Sequence, residues 1–387
     1  MNLYNSNFDV IVIGAGSIGT PIGMFLAKAG LKTLIIERSP SVGQASNKHA
    51  IGGIRATHSD PSKIYLCQRS LDHFSHWQQN FGDDIEWYKG GYSFVAYAEK
   101  EKKTLIDLLS IQKSYDLNID WYEKDDLLQA IPDLNSGNLL GGTYSPDDGS
   151  ASPLKAAYAF YKAATNFGAD FRFNEQVIRI NQLLGQVSGV ETNLEKYTCK
   201  YLINAGGSWA ADISSMVNIP LPIYPDSHEA GITEPVQHMF DPMVVDIRPG
   251  PGSSNFYFYQ HPTGKIIFCL TPNPQIWGNL NTETSDFLIQ ASRRLIEVMP
   301  RLANIRVRRT WRGTYPMTPD GSPIIGKVDQ LRGYLLATGM CGQGFMLGPG
   351  VGELISHLVL DDLNKFEQDA LKSLNLNRDF SSIEQLK

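Results

Sequence analysis

The chain of 387 residues is longer than one hydrophobic core usually organises, so we expect two domains. Hydrophobic residues make up 42% of the sequence and charged residues 19%, and this composition excludes a disordered chain. The formal net charge is −6 and lysine and arginine form no run, which disfavours nucleic acid or an anionic membrane as a partner and favours a small molecule.

The start of the chain lacks the pattern of a signal peptide or a membrane span. Residues 1–9 are polar without a basic region, and the apolar run 10–13 is too short for either role. The cysteines have neither the spacing of a zinc site nor that of a disulfide framework: Cys67, Cys199, Cys269 and Cys341. We therefore predict a cytoplasmic protein with no transmembrane segment and no metal.

The first elements in chain order are a strand, a turn, a helix and a second strand. Residues 9–13 form a β-branched run that ends at a glycine, helical spacing follows as far as Ala29, and residues 32–37 form a second apolar strand. A unit of about 30 residues is the length of a right-handed parallel βαβ crossover. The chain therefore opens with an α/β domain.

The middle of the chain differs in character. After a predicted helix at residues 62–79, short aromatic-rich segments separated by turn residues predict an antiparallel sheet: 91–97, 139–144, 255–259 and 265–270. A helix at residues 152–167 lies between these segments, with Ser152 as its N-cap and Pro153 in its first turn. We expect this helix to return the chain to the first domain.

Strands that end on glycine recur at residues 197–204 and 334–337, and residues 171–180 also have the pattern of a strand. A helical pattern at 351–360 follows the last glycine-rich stretch. We therefore predict two discontinuous domains, an α/β Rossmann-like domain and an α+β domain with an antiparallel sheet. Their expected residues are 1–85, 145–215 and 313–387 for the first domain, and 86–144 and 216–312 for the second.

The first turn carries a dinucleotide-binding motif. Residues 14–19 match G-x-G-x-x-G, in which the first glycine permits the tight turn and the second lets the backbone approach a pyrophosphate. Glu37 lies 18 positions after Gly19, where a carboxylate accepts hydrogen bonds from ribose hydroxyls and repels the 2′-phosphate of NADP. The alternative is a glycine turn that binds no nucleotide. The predicted dinucleotide contacts are Gly14, Gly16, Ser17, Ile18, Gly19, Glu37 and Arg38.

The next stretch bears on which dinucleotide binds. Residues 43–55 are rich in small and polar side chains, where a plain nucleotide domain would begin its next helix. Such a stretch could lay backbone amides along a pyrophosphate and a flavin. This composition suits FAD, with NAD as the alternative.

Six segments carry a resemblance to a known family: GAGSIG with Glu37, Ala45-Ser46, residues 52–55 (GGIR), residues 204–209 (NAGGSW), residues 311–320 (WRGTYPMTPD) and residues 342–346 (GQGFM). Together they resemble the flavin-dependent amine and amino-acid oxidoreductases, the family of D-amino-acid oxidase, glycine oxidase and sarcosine oxidase. Within it, the chain is most similar to the β subunits of sarcosine oxidase and L-proline dehydrogenase. The resemblance covers nearly the whole chain, and the last two segments are the most specific.

The resemblance implies FAD as the cofactor, held by a split FAD domain beside an antiparallel substrate domain. It implies that two loops flank the flavin: Ser46, Asn47, His49, Ala50 and Ile51 in one, and Gly342, Gln343, Gly344, Phe345 and Met346 in the other. The amides of the second loop would stabilise the anionic reduced flavin. The adenine side would be lined by Val177, Ala205, Gly206, Gly207 and Trp209.

Three features depart from the family pattern. Gly313 stands where relatives that bind flavin covalently carry a cysteine, so we expect non-covalent FAD. Gln343 and Met346 replace the histidine and lysine of the sarcosine oxidase loop, which leaves the substrate open. Counting from Tyr257 puts Phe268 at the position of an oxygen-activating lysine in monomeric sarcosine oxidase, which favours a dehydrogenase over an oxidase.

The resemblance also implies residues of the substrate site. Arg55 aligns with the arginine that binds the substrate carboxylate in sarcosine oxidase, and a guanidinium binds a carboxylate through two hydrogen bonds. A structural salt bridge is the alternative for this arginine. Tyr257 and Tyr315 are predicted to line the pocket, with aromatic packing as the alternative for Tyr257. Gln343 is predicted to contact flavin or substrate, whereas His49 is more simply structural.

The predicted reaction is oxidation of the C–N bond of a small amine or amino acid by hydride transfer to flavin N5. The expected substrate is of the sarcosine, proline, glycine or D-amino-acid type, and oxygen or an electron carrier would accept the electrons. The first alternative is a flavoprotein β subunit that is active only within a hetero-oligomer. Others are an NAD-linked dehydrogenase and a tRNA-modifying enzyme, the last disfavoured by the net charge.

Overall fold

The computed structural model describes residues 7–386. Within that range the chain forms eighteen strands, which we number in chain order: β1 (Asn7–Ile13), β2 (Thr33–Ile36), β3 (Gly53–Ile54), β4 (Tyr92–Ala96), β5 (Asp120–Glu123), β6 (Gly141–Ser145), β7 (Gly149–Ser150), β8 (Asp170–Arg172), β9 (Val177–Leu183), β10 (Gln186–Thr192), β11 (Lys196–Asn204), β12 (Tyr224–Pro235), β13 (Met243–Asp246), β14 (Ser253–Gln260), β15 (Lys265–Pro272), β16 (Val307–Met317), β17 (Ile324–Lys327) and β18 (Tyr334–Thr338). They form two eight-stranded sheets and one two-stranded ribbon, β3 with β7.

The same part of the chain forms ten α-helices: α1 (Gly19–Lys28), α2 (Pro61–Ser75), α3 (Trp77–Phe81), α4 (Glu99–Ser114), α5 (Lys124–Ala130), α6 (Pro153–Asn166), α7 (Ala210–Ser215), α8 (Ser285–Val298), α9 (Gly344–Leu360) and α10 (Lys365–Leu374). The N-cap predicted for α6 is confirmed, because the Ser152 side chain accepts a hydrogen bond from Lys155 N. No helix within residues 7–386 is both long and apolar enough to cross a membrane.

The first sheet contains the parallel core that the opening of the sequence predicted. Its strand order is β17-β18-β11-β1-β2-β8, with β10 and β9 attached beside β11. β1 lies inside the sheet and pairs in parallel with both β2 and β11. Its apolar side chains project alternately from both faces. Val10 and Val12 pack toward α1, α6 and α9, while Ile11 and Ile13 pack toward β9, β10 and α7. Burial on both faces explains the continuous apolar run in the sequence.

The second sheet has the order β16-β12-β15-β14-β13-β4-β6-β5. The segments predicted as its strands are confirmed as β4, β6, β14 and β15. The expectation of a purely antiparallel sheet needs one correction, because β4 and β13 are parallel. Parallel neighbours require a long crossover connection. Here the chain between β4 and β13 includes β8 to β11 of the first sheet, which provides that crossover.

Three predicted elements differ from the structure. Residues 171–180 form two strands instead of one, because Asn174 between β8 and β9 has a positive φ of 55°. The helix predicted at 62–79 is divided into α2 and α3 at His76. α9 begins at Gly344 rather than at residue 351, since glycines and Pro349 conceal its first turns from sequence propensity.

The two sheets draw on separate stretches of the chain. Strands of the first sheet lie within residues 7–36, 170–204 and 324–338, whereas those of the second lie within 92–145 and 224–317. β16 continues across position 313, where we expected the first domain to resume. The residue boundaries of the two domains stay a prediction.

Candidate cofactor and substrate site

A deep cavity of about 340 Å³ is lined by residues of both eight-stranded sheets. Every residue predicted to contact cofactor or substrate lines it, with the exception of Gly19. A Cβ on Gly19 would lie 1.8 Å from the carbonyl oxygen of Gly14, so this glycine lets α1 pack behind the turn. The sequence therefore identified side chains that the fold brings into one cavity.

The dinucleotide turn lies where β1 ends and α1 begins. Gly14 has a φ of +102°, and a Cβ there would lie 2.7 Å from the carbonyl oxygen of Ala205 on the neighbouring loop. A Cβ on Gly16 would meet no atom within 4 Å, so open space adjoins the turn on that side. The N-terminus of α1 together with this space suits a pyrophosphate.

Glu37 is held at the end of β2 by two backbone amides. Its Oε2 accepts a hydrogen bond from Ala15 N at 2.8 Å and its Oε1 accepts one from Ser39 N at 2.8 Å. Each carboxylate oxygen keeps a further lone pair for a ribose hydroxyl. Beside it the guanidinium of Arg38 lies over the ring of Trp209, 3.7 Å from the ring centre. These residues can hold the nucleotide end of a cofactor.

Three polar atoms of the cavity lining are buried without a hydrogen-bond partner in the described residues: Asn47 Oδ1, Ser208 Oγ and Gln343 Oε1. A buried polar atom that lacks a partner costs about 1–3 kcal/mol, so native proteins rarely leave one. Bound polar groups can supply the missing partners. The distribution of these atoms, together with the Gly14 turn and Glu37, fits an elongated polar ligand such as FAD.

At the other end of the cavity two tyrosines form a hydroxyl pair. Their hydroxyl oxygens, on Tyr257 and Tyr315, lie 2.9 Å apart. Burial raises the pKa of both phenols far above the neutral range, so both keep their protons. Both hydroxyls are also hydrogen-bonded to the thiol of Cys269, so their protons are shared within this buried cluster.

Two buried side chains, His228 and Asp226, support Tyr315 from behind. The ring of His228 stacks on the ring of Tyr315 at a centroid distance of 3.9 Å. Nε2 of this histidine lies 3.0 Å from Oδ2 of Asp226, which in turn accepts a hydrogen bond from Ile276 N through Oδ1. The tyrosine ring is therefore held in one orientation at the cavity wall.

Arg55 is buried at the same end of the cavity, with 5% of its surface exposed. Its Nη1 donates to Thr57 O and lies 3.2 Å from His58 Nδ1, while its Nη2 donates to Leu386 O at 2.5 Å. These contacts use three of the five N–H bonds of a guanidinium. No carboxylate of the described residues lies within 4.0 Å of its nitrogens, so the salt bridge weighed as an alternative is absent from that part of the chain.

His49 lies on the loop that follows the dinucleotide turn. Burial, with the charges of Lys48 and Arg309, lowers the pKa of this histidine, so its ring is neutral near pH 7. Its carbonyl accepts a hydrogen bond from Trp311 Nε1 at 2.8 Å. A Cβ on Gly313 would lie 2.7 Å from His49 Cβ, which explains why a glycine faces this loop.

Sequence reasoning missed an apolar wall at the Tyr257–Tyr315 end of the cavity, which we call the substrate end. Tyr92 and Phe94 on β4 and Met243 and Val245 on β13 line the cavity, each pair two residues apart on one face of its strand. A period of two is the expected signal for such a face. It was concealed because both faces of these strands are buried, so burial does not alternate along them.

The pairing of β14 and β15 decides which residue lies opposite Tyr257. Cys269, and not Phe268, lies directly opposite Tyr257. Phe268 points to the other face of the sheet, where its ring stacks with Phe287 of α8. All four cysteines are buried, and burial raises the pKa of Cys269 to about 12. Within residues 7–386, histidine, cysteine and acidic side chains form no cluster that could hold a metal ion.

Comparison with known proteins decides the family. The family model described as DAO, FAD dependent oxidoreductase, matches residues 9–358. This chain belongs to the DAO family of FAD-dependent oxidoreductases. The NAD-linked alternative is therefore wrong, and the fold expected from the resemblance is confirmed.

Three DAO-family relatives illustrate the range of similarity. The chain is 24% identical to glycine oxidase of Bacillus subtilis (strain 168), covering 96% of this chain and 98% of that one. It is 25% identical to sarcosine oxidase subunit beta of Rhodobacter capsulatus, covering 91% and 84%. The crystal structure of L-proline dehydrogenase from P. horikoshii matches with a TM-score of 0.89 and 28% identity, covering 96% and 97%.

Proposed function

We propose that this DAO-family enzyme oxidises the C–N bond of a small amino acid or amine at the Tyr257–Tyr315 end of the cavity. Relatives named for glycine, sarcosine and proline support this substrate class. Bound FAD would accept a hydride from the carbon that bears the nitrogen. The residues of this chain then have to bind, orient and desolvate the substrate.

The proposal rests on the burial of Arg55 and on its unused hydrogen-bond donors. This arginine lines the cavity, is almost fully buried, and keeps two N–H bonds that are not used by the described residues. A buried cation without a carboxylate partner is costly, and an anionic ligand removes that cost. A substrate carboxylate is the group that would fit these two donors.

The other residues of this end suit an amino acid of modest size. The hydroxyl oxygens of the Tyr257–Tyr315 pair keep lone pairs that can accept a hydrogen bond from the substrate amine. Phe94, Met243 and Val245 exclude water from the reacting carbon and contact an aliphatic side chain or ring. The substrate would enter as the neutral amine, since the hydride transfer then needs no base, and Asp148 lies behind Arg55 outside the cavity lining.

We further propose an electron carrier, and not oxygen, as the acceptor. Cys269 lies opposite Tyr257, and no lysine of the described residues lines the cavity. A cation beside the flavin would stabilise the anion formed when oxygen is reduced. Turnover with a dye acceptor should therefore exceed turnover in air, and equal rates would contradict this part of the proposal.

The test of the proposed reaction is a substrate screen with the purified holoenzyme. Sarcosine, glycine, L-proline and D-alanine would be supplied with a dye acceptor, and bleaching of the flavin band would be followed without it. Reduction of the flavin by at least one of them supports the proposal. Activity of the single chain would also exclude the alternative of a β subunit that works only within a hetero-oligomer.

For the substrate that emerges, Arg55→Ala is expected to raise KM at least about tenfold, because a charged hydrogen-bonded contact is lost. Flavin content should be retained. Arg308→Ala is the matched control, since this arginine is exposed on β16 and does not line the cavity. An unchanged KM in Arg55→Ala would remove this arginine from the substrate site.

A further inference from the structure

Glu384 and Leu386, far along the chain from Arg55, are buried behind the Tyr257–Tyr315 end of the cavity. Glu384 is 3% exposed and Leu386 is 1% exposed. The side chain of Leu386 belongs to an apolar cluster with Tyr92, Phe94 and Val245, which themselves line the cavity. The segment 384–386 therefore contacts the outer side of the substrate wall.

The carboxylate of Glu384 fixes this segment in place. It lies 3.0 Å from Lys63 Nζ, and both side chains are fully buried. Its Oε1 also accepts hydrogen bonds from Ser59 N at 3.0 Å, Ser59 Oγ at 2.7 Å and Leu386 N at 3.0 Å. Burial alone would raise its pKa, but the charge of Lys63 and these donors hold the pKa of Glu384 well below its usual range.

The fixed segment in turn holds Arg55. The carbonyl of Leu386 accepts a hydrogen bond from Arg55 Nη2, across 331 positions of sequence. The amide of Leu386 donates a hydrogen bond to Glu384. The buried carboxylate therefore fixes the residue whose carbonyl binds Arg55.

On the opposite side Arg55 Nη1 lies against His58 Nδ1, and a guanidinium can only donate, so this nitrogen accepts. Burial, with the charges of Arg55 and Lys63, holds the pKa of His58 well below its usual value, so the ring stays neutral and keeps this acceptor. The remaining ring nitrogen faces Cys67 Sγ at 3.4 Å. Both terminal nitrogens of Arg55 are therefore held by hydrogen bonds.

We propose that Glu384 is a positioning residue of the substrate site. Through residues 384–386 it locks the guanidinium of Arg55 so that the two unused N–H bonds stay directed to one carboxylate. The inference rests on the proposed role of Arg55 as carboxylate anchor. Without the lock the long arginine side chain regains rotamer freedom, which would weaken carboxylate binding about tenfold.

The test uses the FAD holoenzyme and a pair of planar probes of equal shape, furan-2-carboxylate and the neutral furan-2-carboxamide. Each is titrated while the visible flavin band is followed. Glu384→Gln is expected to weaken binding of the carboxylate about tenfold or more and to leave binding of the carboxamide unchanged. Asp379→Asn is the control, because this residue is exposed in the same part of the chain and hydrogen-bonds only Ser381 in the structure.

A second variant guards against simple unfolding. Glu384→Gln leaves Lys63 buried without its partner, whereas the double variant Lys63→Met, Glu384→Met removes both charges and can keep the fold. It also removes the acceptor of Leu386 N, so the same selective loss of carboxylate binding is expected. An equal effect of these variants on both probes, or none on either, overturns the positioning role.

Arg55→Ala separates this inference from the proposed function. If it weakens carboxylate binding while the Glu384 variants do not, the anchor stands and only the positioning role fails. If it has no effect, or if wild-type holoenzyme does not bind furan-2-carboxylate, the anchor fails and the positioning role fails with it.

Discussion

Asp148 is a buried carboxylate close behind Arg55, with 3% of its surface exposed. It accepts hydrogen bonds from Ala56 N at 2.9 Å and Thr57 Oγ1 at 3.4 Å, and also from Ser145 Oγ. Burial outweighs these donors and the charge of Arg55, and raises the pKa of Asp148 to about 6. At the scale of single residues, the substrate end thus contains a group that titrates just below neutral pH.

The raised pKa predicts how stability depends on pH. A carboxyl whose pKa is about 6 in the folded protein and 3.8 when unperturbed binds more protons in the folded state between these two pH values. The stability that Asp148 contributes is therefore present below about pH 4 and is lost as pH rises through 6. Relative to wild type, Asp148→Asn should gain up to about 3 kcal/mol in free energy of unfolding between pH 4 and pH 7. Urea unfolding of both proteins across this range checks it, and a constant difference would contradict it.

The residue at position 313 predicts that FAD is bound without a covalent linkage. Gly313 has no side chain that could bond to the flavin, and it faces His49 on the loop beside the cavity. Acid precipitation should therefore release all FAD into the supernatant, where its absorbance can be measured against the holoenzyme. Flavin retained in the pellet would reveal a covalent bond at another residue.

At the scale of elements, the sequence predicted only part of helix α9. The glycine-rich loop before it and its apolar second half were predicted, but its first two turns were not. Their glycines serve close packing: a Cβ on Gly348 would lie 2.1 Å from Ser17 O, and one on Gly350 would lie 2.1 Å from Leu66 O. Helical propensity disfavours these residues, whereas the approach of α9 to α1 and α2 requires them.

Gly350→Ala is therefore expected to destabilise the protein despite the higher helix propensity of alanine. The added methyl group would overlap the backbone of α2 and force the helices apart, at a cost of about 1–3 kcal/mol. Leu360→Ala is the control in the same helix, since Leu360 is 44% exposed and should change stability far less. Chemical unfolding measures both, and a neutral or stabilising Gly350→Ala would show that α9 can move without cost.

At the scale of the whole molecule, the cofactor cavity joins the two sheets. Its lining combines the Gly14 turn of the first sheet with Tyr92, Tyr257 and Tyr315 of the second. A ligand that binds there stabilises only the state in which both sheets are folded and docked. Loss of the cofactor should therefore weaken the molecule as a unit.

Removal of FAD is predicted to lower Tm by several degrees, because a ligand at a thousand times its Kd adds about 4 kcal/mol. Thermal unfolding of the apoprotein with and without added FAD measures the effect. NAD at the same concentration is the control and should leave Tm unchanged. A similar shift with NAD would indicate that the nucleotide half alone is recognised.

The sequence by itself determined the local elements and the cofactor. The βαβ unit, the Gly14 turn and Glu37 are signals within windows of a few tens of residues, where spacing and propensity act directly. The family motifs in turn named FAD. Most of the cavity lining predicted from them lies where it was expected, because these residues sit at strand ends that the parallel sheet brings to one edge.

Only the tertiary structure decided how the substrate end is built. The Tyr257–Tyr315 pair, the register that sets Cys269 opposite Tyr257, and the bond from Arg55 to Leu386 all join distant parts of the chain. Such contacts depend on strand register and side-chain packing, which local periodicity does not encode. For that reason the sequence specified the cofactor, whereas the burial and hydrogen bonds of Arg55, the proposed carboxylate anchor, emerged only from the fold.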